Sequence, residues 1–421
     1  MNSEWKEVRL GDLISLRGGL AYKGEHISQS GTPMVTMGCV DPGSRFKREG
    51  LKYYRGSFGA SHTAKSGDIV IATRDVTQKR ETIGCPCLIP DDLGSEEAVV
   101  ATNTYLVTNH SNIDNSFLYL LLKSPSYREQ IVASAKGSTV IMITKDAIEN
   151  HSFLLPPPVE QKAIAHILGT LDDKIELNRK TNETLEGMAK ALFKSWFVDF
   201  DPVRAKAEGR PTGLPAEVSD LFPDSFEDSE LGDIPSGWEV HLLGEAVSIQ
   251  YGKNLPTLNL IPKGFPVFGG NGVIGFHSDY LFEDVMTLVS CRGAASGAVL
   301  RSLPKSFVTN NSLVIDHRNT SVPSQRYVEF FLSNTDTSVF VTGSAQPQVT
   351  IDSIRHLPIL IPQSRLVEVF QDDLAPIGIK ALLVDRQSKC LASTRDALLP
   401  KLISGEIRIP DAEKMLEEVG I

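Results

Sequence analysis

The sequence has no apolar run long enough to span a bilayer and no C-x-x-C pair. A membrane helix needs about 20 consecutive apolar residues, so none is expected. The opening stretch, residues 1–12, also lacks the basic and apolar regions of a secretory leader, and a cytoplasmic chain is expected. The five cysteines, Cys39, Cys85, Cys87, Cys291 and Cys390, are odd in number and scattered, which is no disulfide framework. Cys85-Pro86-Cys87 is too tight for a zinc knuckle without a second pair, because zinc normally takes four ligands. Free thiols and no metal are expected. Also missing are G-x-x-x-x-G-K-[ST], G-x-S-x-G and H-E-x-x-H, and the acidic residues form no strand-borne pair followed by lysine. The chain is therefore expected to hold no catalytic centre.

Phe268-Gly269-Gly270-Asn271-Gly272 matches the F-x-G-x-G loop that binds S-adenosylmethionine. An adenine methyltransferase also needs a tetrapeptide of the Asp/Asn-Pro-Pro-Tyr/Phe type, with an acceptor for the amino proton and an aromatic ring to stack the flipped base. None occurs; Pro156-Pro157-Pro158 runs into Val159. The glycine run is read as a turn between strands. A stand-alone S-adenosylmethionine-dependent methyltransferase and a coiled-coil scaffold that binds no DNA are the alternative readings.

The net charge of −10 is concentrated. Residues 199–239 hold 3 basic and 11 acidic side chains, whereas residues 1–150 hold 17 of each and residues 240–358 hold 8 of each. The neutral parts can still carry local basic faces.

The chain is a long repeat. Trp5, Gly11 and Ser15 recur as Trp238, Gly244 and Ser248, an offset of 233. Gly137, Thr144, Asp146, Ile148 and Pro156 recur as Gly343, Thr350, Asp352, Ile354 and Pro362, an offset of 206 that continues through Lys174, Leu177, Leu185 and Leu192 to Lys380, Leu383, Leu391 and Leu398. Each half thus reads as a globular domain, a proline-punctuated stop and a helix. Short β-like runs such as Asp68–Thr73 and helix-like stretches such as Asn115–Gln130 make each domain α+β.

From Leu168 to Trp196 the residues Leu171, Ile175, Asn178, Asn182, Leu185, Ala189, Leu192 and Trp196 step by alternating fours and threes, a heptad seam. Its counterpart is Ile377, Ala381, Val384, Ser388, Leu391, Arg395, Leu398 and Leu402. Such helices, about 40 Å long, need partners, and each is the obvious mate of the other. Leu177, Met188, Phe193, Phe197, Leu382, Leu383 and Leu399 lie outside the seam and suggest a second apolar face. The expected division is a first recognition-type domain over 1–155, a central helix region over 156–200, an acidic proline-rich linker over 201–235, a second domain over 236–361, a distal helix region over 362–405 and a tail over 406–421.

Basic and amide side chains in turn-like contexts are the candidates for DNA contact, since Lys and Arg bind phosphates while Arg, Asn and Gln read base edges. In the first domain these are Lys23, Arg45, Lys47, Arg48, Lys52, Tyr54, Arg74, Lys79 and Arg80. In the second they are Tyr251, Lys253, Asn254, Asn271, Arg292, Gln346 and Gln348. Leu171, Ile175, Leu185, Leu192, Phe193, Trp196, Ile377, Val384, Leu391, Leu398 and Leu402 are the candidates for helix pairing and partner docking.

The segment from Leu171-Asp172-Asp173-Lys174-Ile175 to Phe197-Val198-Asp199-Phe200-Asp201-Pro202 resembles the central region of specificity (S) subunits of type I restriction-modification systems. Arg395 to Ile407 is similar to that family's distal region, and Trp5-Lys6-Glu7-Val8-Arg9-Leu10-Gly11-Asp12 to the entry of its recognition domains. The resemblance implies two target-recognition domains related by pseudo-twofold symmetry, each reading half of a bipartite DNA site. It implies an antiparallel helix pair that measures the gap and docks two adenine-N6 methyltransferase subunits, with two motor-endonuclease subunits completing the complex. S-adenosylmethionine, ATP and Mg²⁺ would belong to those partners.

Overall fold

Residues 5–75, 80–137, 140–293, 295–317, 324–343 and 347–418 are described by the computed structural model. Two compact units result: Met1–Thr181 with Leu383–Ile421, and Asn182–Leu382.

In unit 1 the run Ile69–Ala72 is buried at every position, because it lies inside a sheet covered on both faces. Its antiparallel neighbours are Thr104–Asn109 and Pro86–Leu88, and Ile14–Gly18 completes the order beyond Thr104–Asn109. A second sheet pairs Thr32–Val35 in parallel with Ala98–Val100. Lys6–Arg9 pairs antiparallel with Ser152–Leu155, so the module's first and last strands close on each other.

Unit 2 repeats the four-stranded sheet, the parallel pair and the closing strands, while its second sheet has three strands where that of unit 1 has five. Ser248–Tyr251, Ser312–Asp316, Thr287–Ser290 and Val299–Arg301 form an antiparallel sheet in that order. Phe265–Gly269 pairs in parallel with Phe307–Val308, and Glu239–Leu242 closes antiparallel on Pro358–Ile361. The fold is thus α+β in both halves, as the repeat implied. The glycine run at Gly270 and Asn271 is the turn of the hairpin Phe265–Gly269/Gly272–His277.

The expected helix over 115–130 is two helices, Asn115–Leu121 and Pro125–Ser134. The break is dictated locally: Ser124 accepts from the Tyr127 amide as an N-cap, and Pro125 takes the first helical position, where its missing N–H costs nothing. The same property of proline lengthens the central helix. Pro158 starts it rather than stopping it, and it runs Pro158–Phe197, 40 residues or about 60 Å. The distal helix runs Ser364–Ser404, 41 residues, through Pro376 and Pro400.

Each unit contains part of both long helices, packed antiparallel. In unit 1, Leu171 shares a buried cluster with Leu391, Leu398 and Leu402, with Ile175 packed against it. Asn178 donates from Nδ2 to Oε1 of Gln387 at 3.0 Å, and Arg395 Nη1 donates to Asp172 Oδ1 at 2.8 Å. Partner numbers fall on one helix as they rise on the other. In unit 2, Phe193 and Trp196 meet Phe370 at ring distances of 5.8 and 5.7 Å, with Leu192 and Ile377 packed beside them. The heptad seam is buried in part, with Val384 buried in unit 1 and Leu185 half-buried in unit 2; off the seam, Phe193, Phe197 and Leu399 are buried as well, while Leu177, Met188, Leu382 and Leu383 are exposed.

The acidic stretch expected as a linker is built into unit 2. It forms the helix Asp201–Ala207 and the hairpin Phe226–Ser229/Gly232–Pro235, and Val203, Phe222 and Ile234 enter the core. Its charges stay outside while its spaced apolar residues go in. The expected tail contains the helix Ile409–Glu418, whose Ala412 and Leu416 join the core of unit 1. Four cysteines are buried free thiols, and Cys390 is exposed on the distal helix.

Candidate nucleic-acid interface

In unit 2 the ends of several strands converge on one edge. Tyr251 closes its strand opposite Leu313, and the chain turns at Gly252. A Cβ there would lie 2.3 Å from the Thr309 carbonyl oxygen, so only glycine allows this close approach. The Lys253 amide then donates to the Val308 carbonyl at 2.9 Å, and the Asn310 amide donates back to the Lys253 carbonyl at 3.2 Å. The hairpin turn with Asn271 is tied in by Ser312 Oγ, which donates to the Gly269 carbonyl at 3.1 Å. The Cys291 amide donates to the Asn311 carbonyl at 2.9 Å, and Arg292 pairs with Gln348. The structure thus brings Tyr251, Lys253, Asn254, Asn271, Arg292 and Gln348 onto neighbouring loops, all exposed. The charged residues of 251–254, 269–272, 291–293, 309–311 and 347–348 are Lys253 and Arg292, without a carboxylate. Beneath the loops, the hydroxyls of Ser290 and Thr309 are buried without a hydrogen-bond partner. The edge is therefore cationic, rich in donors and acceptors, and held by backbone hydrogen bonds that leave its side chains available.

Unit 1 builds the same edge. Gly19 stands where Gly252 does, with a Cβ position 1.9 Å from the Ala101 carbonyl oxygen. The Leu20 amide donates to the Val100 carbonyl at 2.7 Å, and the Thr73 amide to the Asn103 carbonyl at 3.0 Å. Arg74 is exposed and pairs with Met142, which in turn bridges Lys136. Lys23 lies just beyond Leu20, exposed and 3.7 Å from Glu25. Asn103 and Lys136 were missed in sequence; the signal was available in the match of Gly137 to Gly343, which anchors the Lys136 loop.

Four first-domain candidates are engaged elsewhere. Arg45 donates from Nη2 to the Gly169 carbonyl at 2.8 Å and pairs with Asp173 on the central helix, so its guanidinium fastens domain to helix. Arg48 pairs with Asp92 and holds that carboxyl below its usual range through the hydrogen bond it donates. Tyr54 is a core ring, edge-on to Tyr22 at 6.3 Å and His26 at 5.8 Å. Arg80 donates to the Val132 carbonyl at 3.0 Å. Local sequence cannot distinguish an arginine in a turn from one reaching a helix more than a hundred residues away. Lys47, which precedes the turn Arg48–Gly50, and Lys52, in the strand Lys52–Tyr54 of the second sheet, are exposed. Lys79 and Gln346 lie outside the described residues.

The helix pair carries a second polar feature. Asp172 and Arg395 are both buried, and Arg45 Nε approaches Asp172 at 3.6 Å. Burial works against the Arg395 charge, but Asp172 and Asp396 outweigh it and raise its pKa above the ordinary guanidinium value.

Each unit is an α+β module that holds part of both long helices and carries a cationic loop edge. Residues 2–187 match the family model described as type I restriction modification DNA specificity domain. The chain is 26% identical to the HindI type I restriction enzyme specificity subunit of Haemophilus influenzae, over 96% of this chain and 100% of that one. It is 27% identical to the MjaIX specificity subunit of Methanocaldococcus jannaschii, over 70% of each. A crystal structure of the type I restriction-modification S subunit from M. genitalium aligns over 96% of both chains, with 18% identity and a TM-score of 0.48. In sequence the chain is thus similar, over most of its length, to specificity subunits of type I restriction-modification systems. Among the described residues, no helix is long and apolar enough to cross a membrane.

Proposed function

We propose that this chain is a non-catalytic, cytoplasmic subunit that reads a bipartite DNA target, one half with each module. The observation that carries this reading is the loop edge built twice, at the same strand ends, by one backbone plan. Common scaffolding with different side chains suits two different half-sites. The long helices set the spacer; two half-sites one turn apart are about 34 Å from each other, within the reach of helices of this length.

Two adenine-N6 methyltransferase subunits dock on the helices, and two ATP-driven motor-endonuclease subunits complete the restriction complex. S-adenosylmethionine, ATP and Mg²⁺ belong to those partners. Exposed apolar side chains on the helices, Leu177 and Leu383 in unit 1 and Met188, Ile379 and Leu382 in unit 2, support docking. With near-neutral modules, the isolated chain binds DNA weakly and with strong salt dependence, because phosphate affinity comes from released counterions.

Methylome sequencing of a host with and without the gene tests the reading. A split adenine-methylated motif that appears only with the gene supports it. An unchanged methylome in the presence of the partner subunits contradicts it, as does nanomolar binding of the isolated chain at physiological salt.

A further inference from the structure

The repeat offset is 233 at the module starts and 206 at their ends, so the interiors cannot be aligned by sequence alone. The strand registers align them. Ala72 pairs with Thr104 and Ser290 with Ser312, at the same place in the same sheet. The residues two positions beyond, Arg74 and Arg292, are therefore equivalent at an offset of 218. An independent pairing agrees: Arg74 faces Met142 and Arg292 faces Gln348, and these two differ by 206, the offset of the module ends. The next bridge also repeats, from Met142 to Lys136 and from Gln348 to Thr342.

Both arginines are exposed, and neither has an ion pair among the described residues. The carboxylate next to Arg74 is turned inward: Asp75 is buried and accepts from the amides of Thr82 and Ile83 at 2.7 and 3.2 Å. Each arginine follows a fully buried strand by two residues, and its backbone is pinned by a bridge, so its base is rigid while its fork is free. Elsewhere the fold spends arginines on itself, as with Arg45, Arg48 and Arg80.

We infer that Arg74 and Arg292 are the same specificity-determining residue in two copies, each contacting a base edge in its own half-site. Across the bridge from each arginine stands a side chain of different chemistry. Gln348 can make a bidentate hydrogen bond to a base, whereas Met142 can only make apolar contact, as with a thymine methyl. A constant arginine beside a variable neighbour gives two half-sites that share one strongly read position and differ beside it.

The inference rests on the proposed DNA-reading role, and its test separates the two. The full chain, as wild type, Arg74→Ala, Arg292→Ala, Arg74→Lys and Arg292→Lys, is expressed with its methyltransferase partner, and adenine methylation is mapped genome-wide. Each alanine variant should relax one position in one half of the motif, with discrimination there falling by roughly ten- to a hundredfold, and leave the other half intact. The lysine variants should relax the same positions, because a point charge does not replace the planar fork. Thermal unfolding of each variant should match wild type. Alanine variants that weaken methylation evenly across the motif and relax no position would show phosphate contact and overturn base reading. Alanine variants that leave an intact wild-type motif would overturn the inference while the role stands. A wild type that produces no split motif would sink both.

Discussion

The two ends of the helix pair occupy equivalent positions and solve the same packing problem with different chemistry. In unit 1 the buried residues Leu398, Leu399, Leu402, Ile403 and Ile164 are aliphatic, and the Asp172–Arg395 pair lies among them. Shifted by the repeat offset of 206, these positions become Leu192, Phe193, Trp196, Phe197 and Phe370, and the ion pair becomes Gly378 and Ala189. Unit 2 has an aromatic cluster there instead, with Phe193 stacked on Phe330 at 5.5 Å and Phe197 edge-on to Tyr327 at 5.2 Å. The difference shows that a duplicated frame tolerates exchange of its glue while the strand plan and helix register are kept. It also makes the ends non-interchangeable, since a buried charge pair specifies its partner and an aromatic cluster does not.

The comparison can be broken most forcefully at the aromatic end. Trp196→Ala should cost unit 2 stability near the top of about 3–5 kcal/mol, because it empties a fully buried site, and denaturant unfolding should show unit 2 melting first. At the ionic end, Arg395→Met should cost about 3 kcal/mol by leaving Asp172 buried without its hydrogen-bonded partner, with Arg45 and Lys123 as the nearby cations. The double variant Asp172→Leu/Arg395→Met should recover most of that loss. A double variant as unstable as the single would show that the pair does more than satisfy itself.

The shared loop edge provides a test in which both units should respond alike. Gly19→Ala and Gly252→Ala each push a Cβ into a carbonyl oxygen and should cost about 1–3 kcal/mol, read by thermal unfolding. A loss in only one unit would mean that the edges are less alike than their backbones suggest.

The smallest expected effect is a pH dependence confined to unit 1. Burial lowers the His151 pKa below 6.5, and its Nδ1 lies 2.7 Å from Gln130 Oε1. The unfolded chain therefore takes up a proton that the folded chain resists. The stability held above pH 6.5 should fall as pH drops from 6.5 through the folded pKa. His151→Gln should flatten that slope, measured as melting temperature against pH.

Much of this was legible in the sequence. The repeat, the α+β class and the heptad seam follow from residue spacing, and burial of Leu171, Leu391, Leu398 and Leu402 is the physical content of that seam. The described second-module candidates lie on neighbouring loops, because they sit in glycine-rich turns at strand ends. The first-module candidates were harder. Arg45, Arg48 and Arg80 occupy turns like any DNA-contacting arginine, and only tertiary structure reveals their partners. The equivalence of Arg74 and Arg292 was hidden because the interiors differ in length. The acidic segment misled through its net charge, since a few spaced apolar residues such as Phe222 are enough to fold it onto a core.

If each module reads its own half of one DNA target, the two halves of the motif must be separable by exchanging one module. Residues 1–155 should therefore be exchanged for those of a relative with a different target, and the methylome of the hybrid compared with both parents. The expected result is a hybrid motif in which one half changes, the other half is retained and the spacer is unaltered. A motif that stays wholly unchanged, or one in which both halves change together, would contradict it.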